Sequence, residues 1–213
     1  MQMNKAQVID SLERLGFSEK CIVETILVTR NQDGSYNAAP MGVTRNGATL
    51  IVRPFKSTQT FKNLSLGGSA SINLSDNPHL FLATAFKEDV SIQPKVDDKG
   101  VEGADATIHS GAGEMLDESE LRASFSLTPR DVEIKSSYPT VFSRGRSEAI
   151  EAIIHATRIQ VFNEEHCDSE VQKLKDKVKD NLDVIKRVSA GGSQEFIVAD
   201  KLLSLIKKWG VSI

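Results

Sequence analysis

The stretch Met41–Phe55, MGVTRNGATLIVRPF, decides how the first part of the chain folds. Asn46 and Gly47 stand between two arms that are rich in β-branched and other apolar residues. Asn-Gly supplies the positive φ angles of a type I′ turn, whose twist suits a two-residue hairpin loop. We therefore predict an antiparallel hairpin with Asn46-Gly47 as its loop.

β-type patterns continue on both sides of this hairpin. Residues 21–30 (CIVETILVTR) precede it and end at the turn NQDG, whereas residues 69–75 (SASINLS) and 121–137 (LRASFSLTPRDVEIKSS) follow it with alternating apolar side chains. Strands joined by tight turns, with one helix between the hairpin and the next strand, favour a closed or half-closed antiparallel barrel over a parallel sheet. Residues 87–100 (KEDVSIQPKVDDKG) have the composition of a loop.

Helical periodicity predicts the remaining elements and a domain division. Asn4 and Gln7 have capping-box spacing at the start of a first amphipathic helix, and Ser57 is a plausible N-cap for a short second one. From Ser147 onward the apolar residues recur with a period of 3.6, which predicts a helical layer. We expect a barrel domain with its N-terminal helix over residues 1–146 and a helical subdomain over 147–213. The predicted helices cover Asn4–Leu15, Thr58–Leu66, His79–Phe86, the segment from Ser147, Ser169–Val188 and Gln194–Trp209.

Composition and charge exclude several classes of protein. The formal net charge of −3 argues against a nucleic-acid partner, which normally requires a basic excess. Apolar runs fall short of the roughly 20 residues that span a bilayer, so we expect no membrane association. The first residues lack the pattern of a signal peptide, and Cys21 and Cys167 form no CxxC pair. These features predict a cytoplasmic protein.

The segment Arg53–Gly68, RPFKSTQTFKNLSLGG, combines cations and hydroxyls ahead of the predicted short helix. Cations, hydroxyl donors and a helix start are the groups that bind a phosphate. A serine in this position is also an ordinary helix cap, with the cations in water, and the segment alone leaves both interpretations open. The candidate phosphate ligands are Arg53, Lys56, Ser57, Thr58 and Thr60.

Four pieces of the sequence, taken together, resemble one family. Glu24-Thr25, DGSYNAAPMGV, RPFKSTQTFKNL and INLS are similar to the flavin reductase-like FMN-binding split barrels. The resemblance is strongest to their DUF447 branch, which occurs in methanogenic archaea and some methylotrophic bacteria, and it extends into RSEAIEAIIHATR. It implies an α+β, mainly β, split barrel with a C-terminal helical subdomain. It also implies a homodimer, with FMN near the subunit interface and a small-molecule substrate.

The resemblance further implies which residues hold the cofactor. The FMN phosphate is expected on Arg53, Ser57 and Thr58, with Lys56 and Thr60 as lesser candidates. Asn73 is expected to offer its amide to the ribityl chain or the ring. The isoalloxazine is expected along Asn37, Ala38, Ala39, Pro40, Met41 and the backbone amides near Gly42. In this interpretation the protein is a flavin-dependent oxidoreductase without an identified catalytic residue.

Other functions stay open at this point. The chain contains no GxGxxG or P-loop signature, so the sequence does not identify a nicotinamide cofactor as the electron donor. A non-enzymatic FMN-binding module, a barrel that binds the deazaflavin F420 or haem, and a purely structural dimer all fit the same pattern. Residues 164–168, EEHCD, favour a polar connection between helices over a metal site. Glu151, His155 and Arg158 share a helix face, as either a solvated ion pair or a second site for an anionic or pterin-like substrate.

Overall fold

The computed structural model describes residues 3–17, 19, 22–136 and 143–212 of the 213-residue chain. It contains two compact units, Met1–Ser75 with Pro94–Tyr138, and Asp76–Gln93 with Pro139–Ile213. This division differs from a single boundary at residue 146, because the internal segment Asp76–Gln93 packs with the C-terminal helices. Cys21, predicted to open the first strand, lies outside the described residues.

The secondary structure follows the chain in this order. The elements are α1 (Lys5–Arg14), β1 (Ile22–Arg30), β2 (Tyr36–Asn46), β3 (Thr49–Val52), α2 (Gln59–Ser65), β4 (Ser69–Leu74), α3 (Pro78–Ala85), β5 (Val96–Asp97), β6 (Gly100–Val101), β7 (Ala106–Ala112), β8 (Glu114–Glu118), β9 (Ala123–Leu127), β10 (Pro129–Ile134), α4 (Arg144–Glu164), α5 (Asp168–Val188) and α6 (Gln194–Lys208).

The first unit is built on one curled sheet of eight strands. Its order is β10-β7-β4-β1-β2-β3-β9-β8, and each neighbouring pair is antiparallel. Apolar side chains of the strands, of α1 and of α2 form the core, which confirms the mainly β split barrel predicted from the sequence. Fully buried members of this core include Leu27, Leu50, Ile72, Ile108 and Phe125.

The predicted hairpin is confirmed, but its loop lies one residue further along the chain. Asn46 pairs with Thr49, so Gly47 and Ala48 form the two-residue loop. Gly47 has a φ of 59°, and Ala48 does not share a positive φ. A positive φ at the first loop position alone is the pattern of a type II′ turn. The type I′ assignment is therefore wrong, because Asn46 remains paired as the last residue of β2.

The short helix α2 begins one residue later than its predicted cap implied. Thr58, not Ser57, is the N-cap, and its hydroxyl oxygen accepts a hydrogen bond from the N–H of Phe61 at 3.3 Å. The Thr58 N–H and hydroxyl both donate to the carbonyl of Phe55, at 3.1 and 2.7 Å. These bonds close a tight turn, the Phe55–Thr58 turn, with Lys56 and the exposed Ser57 at its tip.

The segment predicted as a loop contains a small hairpin. Strands β5 and β6 pair at Val96↔Val101 and Asp97↔Gly100. The N–H of Val101 donates to Oδ1 of Asn73 at 3.0 Å, which attaches this hairpin to β4. Alternation and periodicity miss such a hairpin, because each of its strands has only two residues.

Helices make up the second unit. Helix α4 begins at Arg144 behind the cap Ser143, three residues before the periodicity indicated. Helix α5, predicted to begin at Ser169, begins at Asp168, and its N-cap Cys167 makes no side-chain capping bond. Among the described residues, no helix combines the length and the apolar character needed to cross a membrane. The buried face of α5 carries Val171, Leu174, Val178, Leu182 and Ile185.

Candidate functional site

The Phe55–Thr58 turn is held by backbone bonds to residues 121–122, which directly precede strand β9. Lys56 N–H donates to the carbonyl of Leu121 at 2.9 Å, and Phe55 forms an isolated antiparallel bridge with Arg122. The guanidinium of Arg122 lies 3.7 Å from the centre of the Phe55 ring, in cation–π contact. The turn is therefore anchored although its tip is open to solvent.

Three cationic side chains surround this turn. Arg53 is exposed, and its Nε donates to the hydroxyl of Ser124 at 3.2 Å. Lys56 Nζ lies 2.8 Å from Oε2 of Glu118. Arg122 donates to the carbonyl of Arg53 at 3.2 Å. The structure thus brings Arg53, Lys56, Ser57 and Arg122 together around one turn.

Arg122 was missed by the sequence reasoning. It stands 69 residues after Arg53 and belongs to no phosphate motif. The alternation of apolar residues over 121–127 predicts a strand there, but it does not predict which strand pairs with it. Only the pairing of β3 with β9 brings Arg122 to the turn.

Thr60 does not face the open side of the turn. It is 1% exposed, and its hydroxyl oxygen accepts a hydrogen bond from Nδ2 of Asn37 at 3.1 Å. Asn37 is itself 8% exposed. Two residues predicted to contact a ligand therefore bond each other beneath α2.

The predicted ring-binding segment alternates between two faces of the sheet. Met41 packs against the core, and Asn37 points to the same face, towards α2. Ala38 and Pro40 consequently project to the opposite face. One flat ligand cannot meet the side chains of all these residues. The part of this segment that is not fully buried is 39–42.

Gly42 has a clear steric reason to lack a side chain. It pairs with Glu24 on β1, and a Cβ built on Gly42 would lie 3.1 Å from Cγ2 of Ile22 and 3.4 Å from Oε1 of Glu24. The glycine therefore allows the β1 side chains to lie against its backbone.

Asn73 is fully buried, and its side-chain amide makes hydrogen bonds with other protein groups. Oδ1 accepts from Val101 N–H and from the Thr107 hydroxyl, both at 3.0 Å. Nδ2 donates to the carbonyl of Ile26 at 3.1 Å. The structure gives Asn73 a role in holding strands together, and its predicted contact with the ribityl chain or ring stays a prediction.

His155 lies within the helical unit rather than on a solvated face. Its side chain is 12% exposed, and Nε2 stands 3.7 Å from Oε2 of the exposed Glu151. Nδ1 is buried without a hydrogen-bond partner. Burial lowers the pKa of His155, Glu151 opposes this shift, and Lys177 and Arg158 reinforce it. The interpretation of this face as a solvated ion pair is wrong for His155, because its side chain is largely buried.

The connection EEHCD contains a strained residue but no metal cluster. His166 has a φ of 57° between α4 and α5. Within 3–17, 19, 22–136 and 143–212, no group of three or more His, Cys, Asp or Glu side chains is placed to hold a metal ion.

An open groove with a volume of about 740 Å³ runs between α2 and the turn that joins β1 to β2. Carboxamide side chains dominate its wall, together with Phe61 and the exposed Leu66. The lining residues are Asn31, Gln32, Asp33, Gln59, Phe61, Lys62, Asn63, Ser65 and Leu66.

The curled antiparallel sheet with a short helix between β3 and β4 is the fold of a split barrel. The chain belongs to the DUF447 family: residues 23–136 match the domain described as Protein of unknown function (DUF447) N-terminal domain. No curated protein sequence matches the chain.

Several solved structures are similar to this chain. The crystal structure of the FMN-bound DUF447 protein MM1853 from Methanosarcina mazei has a TM-score of 0.71 and 23% identity, covering 91% of this chain and 98% of that one. Flavoredoxin from Methanosarcina acetivorans has a TM-score of 0.44 and 19% identity, covering 56% and 72%. The styrene monooxygenase flavin reductase from Pseudomonas putida S12 has a TM-score of 0.44 and 15% identity, covering 52% and 77%.

Proposed function

We propose that this protein binds FMN, with the phosphate at the Phe55–Thr58 turn, and acts as a flavin-dependent oxidoreductase on a small cytoplasmic substrate. The observation that carries the proposal is the group of Arg53, Lys56, Arg122 and the exposed Ser57 around one anchored turn. MM1853, a member of the same family with the same fold, is described as FMN-bound, which supports the choice of ligand.

The chemistry of the turn suits a phosphate dianion. Arg53 and Lys56 supply positive charge, and Ser57 supplies a hydroxyl that faces solvent. Lys56 pairs with Glu118 at the surface, where the carboxylate is 58% exposed. An exposed pair is worth little, so a phosphate can replace Glu118 at small cost. Helix α2 has only seven residues, and the proposal therefore rests on these side chains rather than on a helix dipole.

The isoalloxazine is proposed to lie along the backbone at Pro40–Gly42. Residues 39–42 are half-buried, whereas Asn37 and Ala38 are buried. Backbone amides near Gly42 are proposed to meet the polar edge of the ring, beside the Ile22 and Glu24 side chains that lie against Gly42. When bound, FMN supplies the hydride-transfer chemistry, and the chain binds and orients it.

The proposal includes a homodimer with the flavin near the interface. Strand β8 is an edge of the sheet, and its side chains Met115 and Leu116 are 44% and 53% exposed. Exposed apolar residues on an edge strand favour association with another chain. Glu118 on β8 contacts Lys56, so a second subunit at this edge would lie beside the turn. Light scattering should give a dimer mass that L116K lowers, and a monomeric wild type would contradict this part.

Titration with FMN and with riboflavin tests the phosphate assignment. The wild type should bind FMN more tightly than riboflavin, because riboflavin lacks the phosphate. R53A and S57A should each weaken FMN binding about 10-fold or more and leave riboflavin nearly unchanged, since charge-assisted bonds contribute about 1.5–3 kcal/mol. R14A is the matched control, because this side chain is 81% exposed and lies on α1. Wild-type protein without affinity for FMN would overturn the proposal.

Reduction kinetics test the oxidoreductase part. NADH, NADPH or reduced deazaflavin should reduce the bound FMN faster than free FMN in stopped-flow absorbance. If bound and free FMN were reduced at equal rates, the protein would be an FMN-binding module and not an oxidoreductase. Mass spectrometry of the ligand released from protein made in an F420-producing host separates FMN from F420 and haem.

A further inference from the structure

Four buried polar side chains connect α2 to the sheet, and we refer to Thr29, Asn37, Thr60 and Asn63 as the α2 polar network. Their exposures are 1%, 8%, 1% and 2%. Asn37 Nδ2 donates to Thr60 Oγ1 at 3.1 Å, and Asn63 Nδ2 donates to Thr29 Oγ1 at 2.9 Å. Thr29 and Asn37 are direct partners in the β1–β2 pairing. One cross-strand pair thus binds two positions of the helix.

The network continues beyond these two bonds. Asn63 Nδ2 also donates to Oδ1 of Asn31 at 2.8 Å, in the turn between β1 and β2. Asn63 Oδ1 accepts from Nε2 of Gln59 at 2.8 Å. Asn63 therefore ties the first turn of α2, its last turn and the β1–β2 turn to one another.

If the contact between α2 and the sheet served packing alone, apolar side chains would be sufficient there. Burying amides and hydroxyls is unfavourable unless they are paired, and α2 already packs Leu64 into the apolar core. Apolar contacts are non-directional, whereas paired hydrogen bonds specify one position and rotation of the helix. The network is thus suited to holding α2 in register.

Helix α2 transmits its position directly to the Phe55–Thr58 turn. Its first residue, Gln59, follows Thr58, whose hydroxyl oxygen accepts from Phe61 N–H and whose O–H donates to the Phe55 carbonyl. On its other side the turn is bonded to Leu121. The turn is therefore held by the residues before β9 on one side and by α2 on the other.

We infer that the α2 polar network positions the Phe55–Thr58 turn for a phosphate, and that it thereby sets the preference of the site for FMN over riboflavin. The inference rests on the proposed function. The members of the network are positioning residues, because Thr29 and Thr60 are each 1% exposed and their hydroxyls bond Asn63 and Asn37.

Two isosteric variants test the inference. T29V and T60V each remove one hydroxyl from the network and keep the shape of the side chain. Each should weaken FMN binding about 5-fold to 20-fold and change riboflavin binding less than about 2-fold, since a lost buried hydrogen bond costs about 1–2 kcal/mol. T29V is decisive, because Thr29 lies on β1 and not in the turn.

S110A is the matched control. Ser110 is 5% exposed, and its hydroxyl donates to the Ala70 carbonyl at 2.8 Å, apart from α2. It should keep the wild-type ratio of FMN to riboflavin affinity even where it lowers the melting temperature. If T29V and T60V kept the wild-type ratio of FMN to riboflavin affinity, whether or not both affinities fell, the inference would be overturned. The proposed function would be unaffected by that result. Wild-type protein that does not prefer FMN would overturn the proposed function and the inference with it.

Hydrogen exchange of the wild type provides a second measurement that does not depend on the folding of a variant. FMN should slow amide exchange across residues 56–65 and at Asn31 more than riboflavin does. Equal protection by the two ligands would contradict a network that responds to the phosphate.

Discussion

Asn73 on β4 accepts a hydrogen bond from the backbone N–H of Val101 on β6, with 3.0 Å between Oδ1 and N. The same oxygen accepts from the hydroxyl of Thr107 on β7. With the bond from Nδ2 to the Ile26 carbonyl on β1, one carboxamide thus joins four strands, and the exposure of Asn73 is 0%. A residue that the sequence places on the polar face of a strand is, in the fold, a buried connection.

Replacing Asn73 should destabilise the protein strongly. N73A would leave the Val101 N–H and the Thr107 hydroxyl without their acceptor and would open a small cavity. We expect a loss of about 2–4 kcal/mol in the free energy of unfolding, measured by urea denaturation. N46A, at the exposed end of β2, should change it by less than about 0.5 kcal/mol. Equal stability of N73A and wild type would contradict the structural role.

A methyl group at Gly100 should disturb the same connection. Gly100 has a φ of 106°, and a Cβ there would lie 2.1 Å from Oδ1 of Asn73. G100A should therefore lose about 2 kcal/mol or more, through backbone strain and displacement of the Asn73 amide. The control is G191A, because a Cβ at Gly191 would meet open space. Thermal melting of the two variants should separate them clearly, and similar melting temperatures would refute the prediction.

Arg45 should be essential for the attachment of the N-terminal helix. Its side chain is 7% exposed and donates to the Phe17 carbonyl, the Gly47 carbonyl and Oε1 of Glu13 at 2.9–3.0 Å. R45A should cost about 1.5–3 kcal/mol, because the buried Phe17 carbonyl and two more exposed acceptors lose a charged donor. R45K should not restore the stability, since an ammonium lacks the planar fork.

The Arg45 variants are best followed by hydrogen exchange. Amides of α1 should exchange faster in R45A, whereas those of α5 should keep the wild-type rates. The matched variant R14A removes an exposed arginine of α1 that pairs with the exposed Asp10, and it should have little effect. Uniform loss of protection throughout the chain would count against a local role in holding α1.

Stability should depend on pH through His155. Because burial lowers the pKa of His155 in the folded protein, the unfolded chain takes up a proton at a higher pH than the folded chain does. The stabilisation is therefore complete above the ordinary histidine pKa of about 6.5 and is lost as the pH falls towards the lower pKa of the folded state. Glu151 opposes the shift, and Lys177 and Arg158 reinforce it.

Comparison of wild type with H155Q isolates this contribution. The free energy of unfolding of both proteins is measured from pH 8 to pH 5. Below about pH 6.5, the wild type should lose more stability than H155Q does. Other carboxylates and histidines titrate in both proteins and largely cancel in the difference. A difference that does not vary with pH would show that His155 does not titrate as its burial requires.

Local signals in the sequence were sufficient for much of the fold. Asn4 and Gln7 form the predicted capping box on α1, with the Asn4 oxygen 3.0 Å from the Gln7 N–H. The hairpin around Gly47 and the strand that contains Ala70 and Ile72 follow from turn chemistry and alternation. These features depend on neighbours within a few residues, so the chain encodes them directly.

The candidate site depended on contacts that no local pattern contains. The sequence by itself determined strands β1–β4, β9 and β10, the hairpin and the cluster of Arg53, Lys56 and Ser57 near a short helix, whereas β5–β8 carried no signal that predicted them. Three features follow from the tertiary structure alone. The Thr60 hydroxyl bonds to Asn37, the Asn73 side chain bonds to protein groups, and Arg122 lies beside the Phe55–Thr58 turn. The physical reason is that each of these side chains is satisfied by a partner more than 20 residues away, and only the sheet pairing selects that partner.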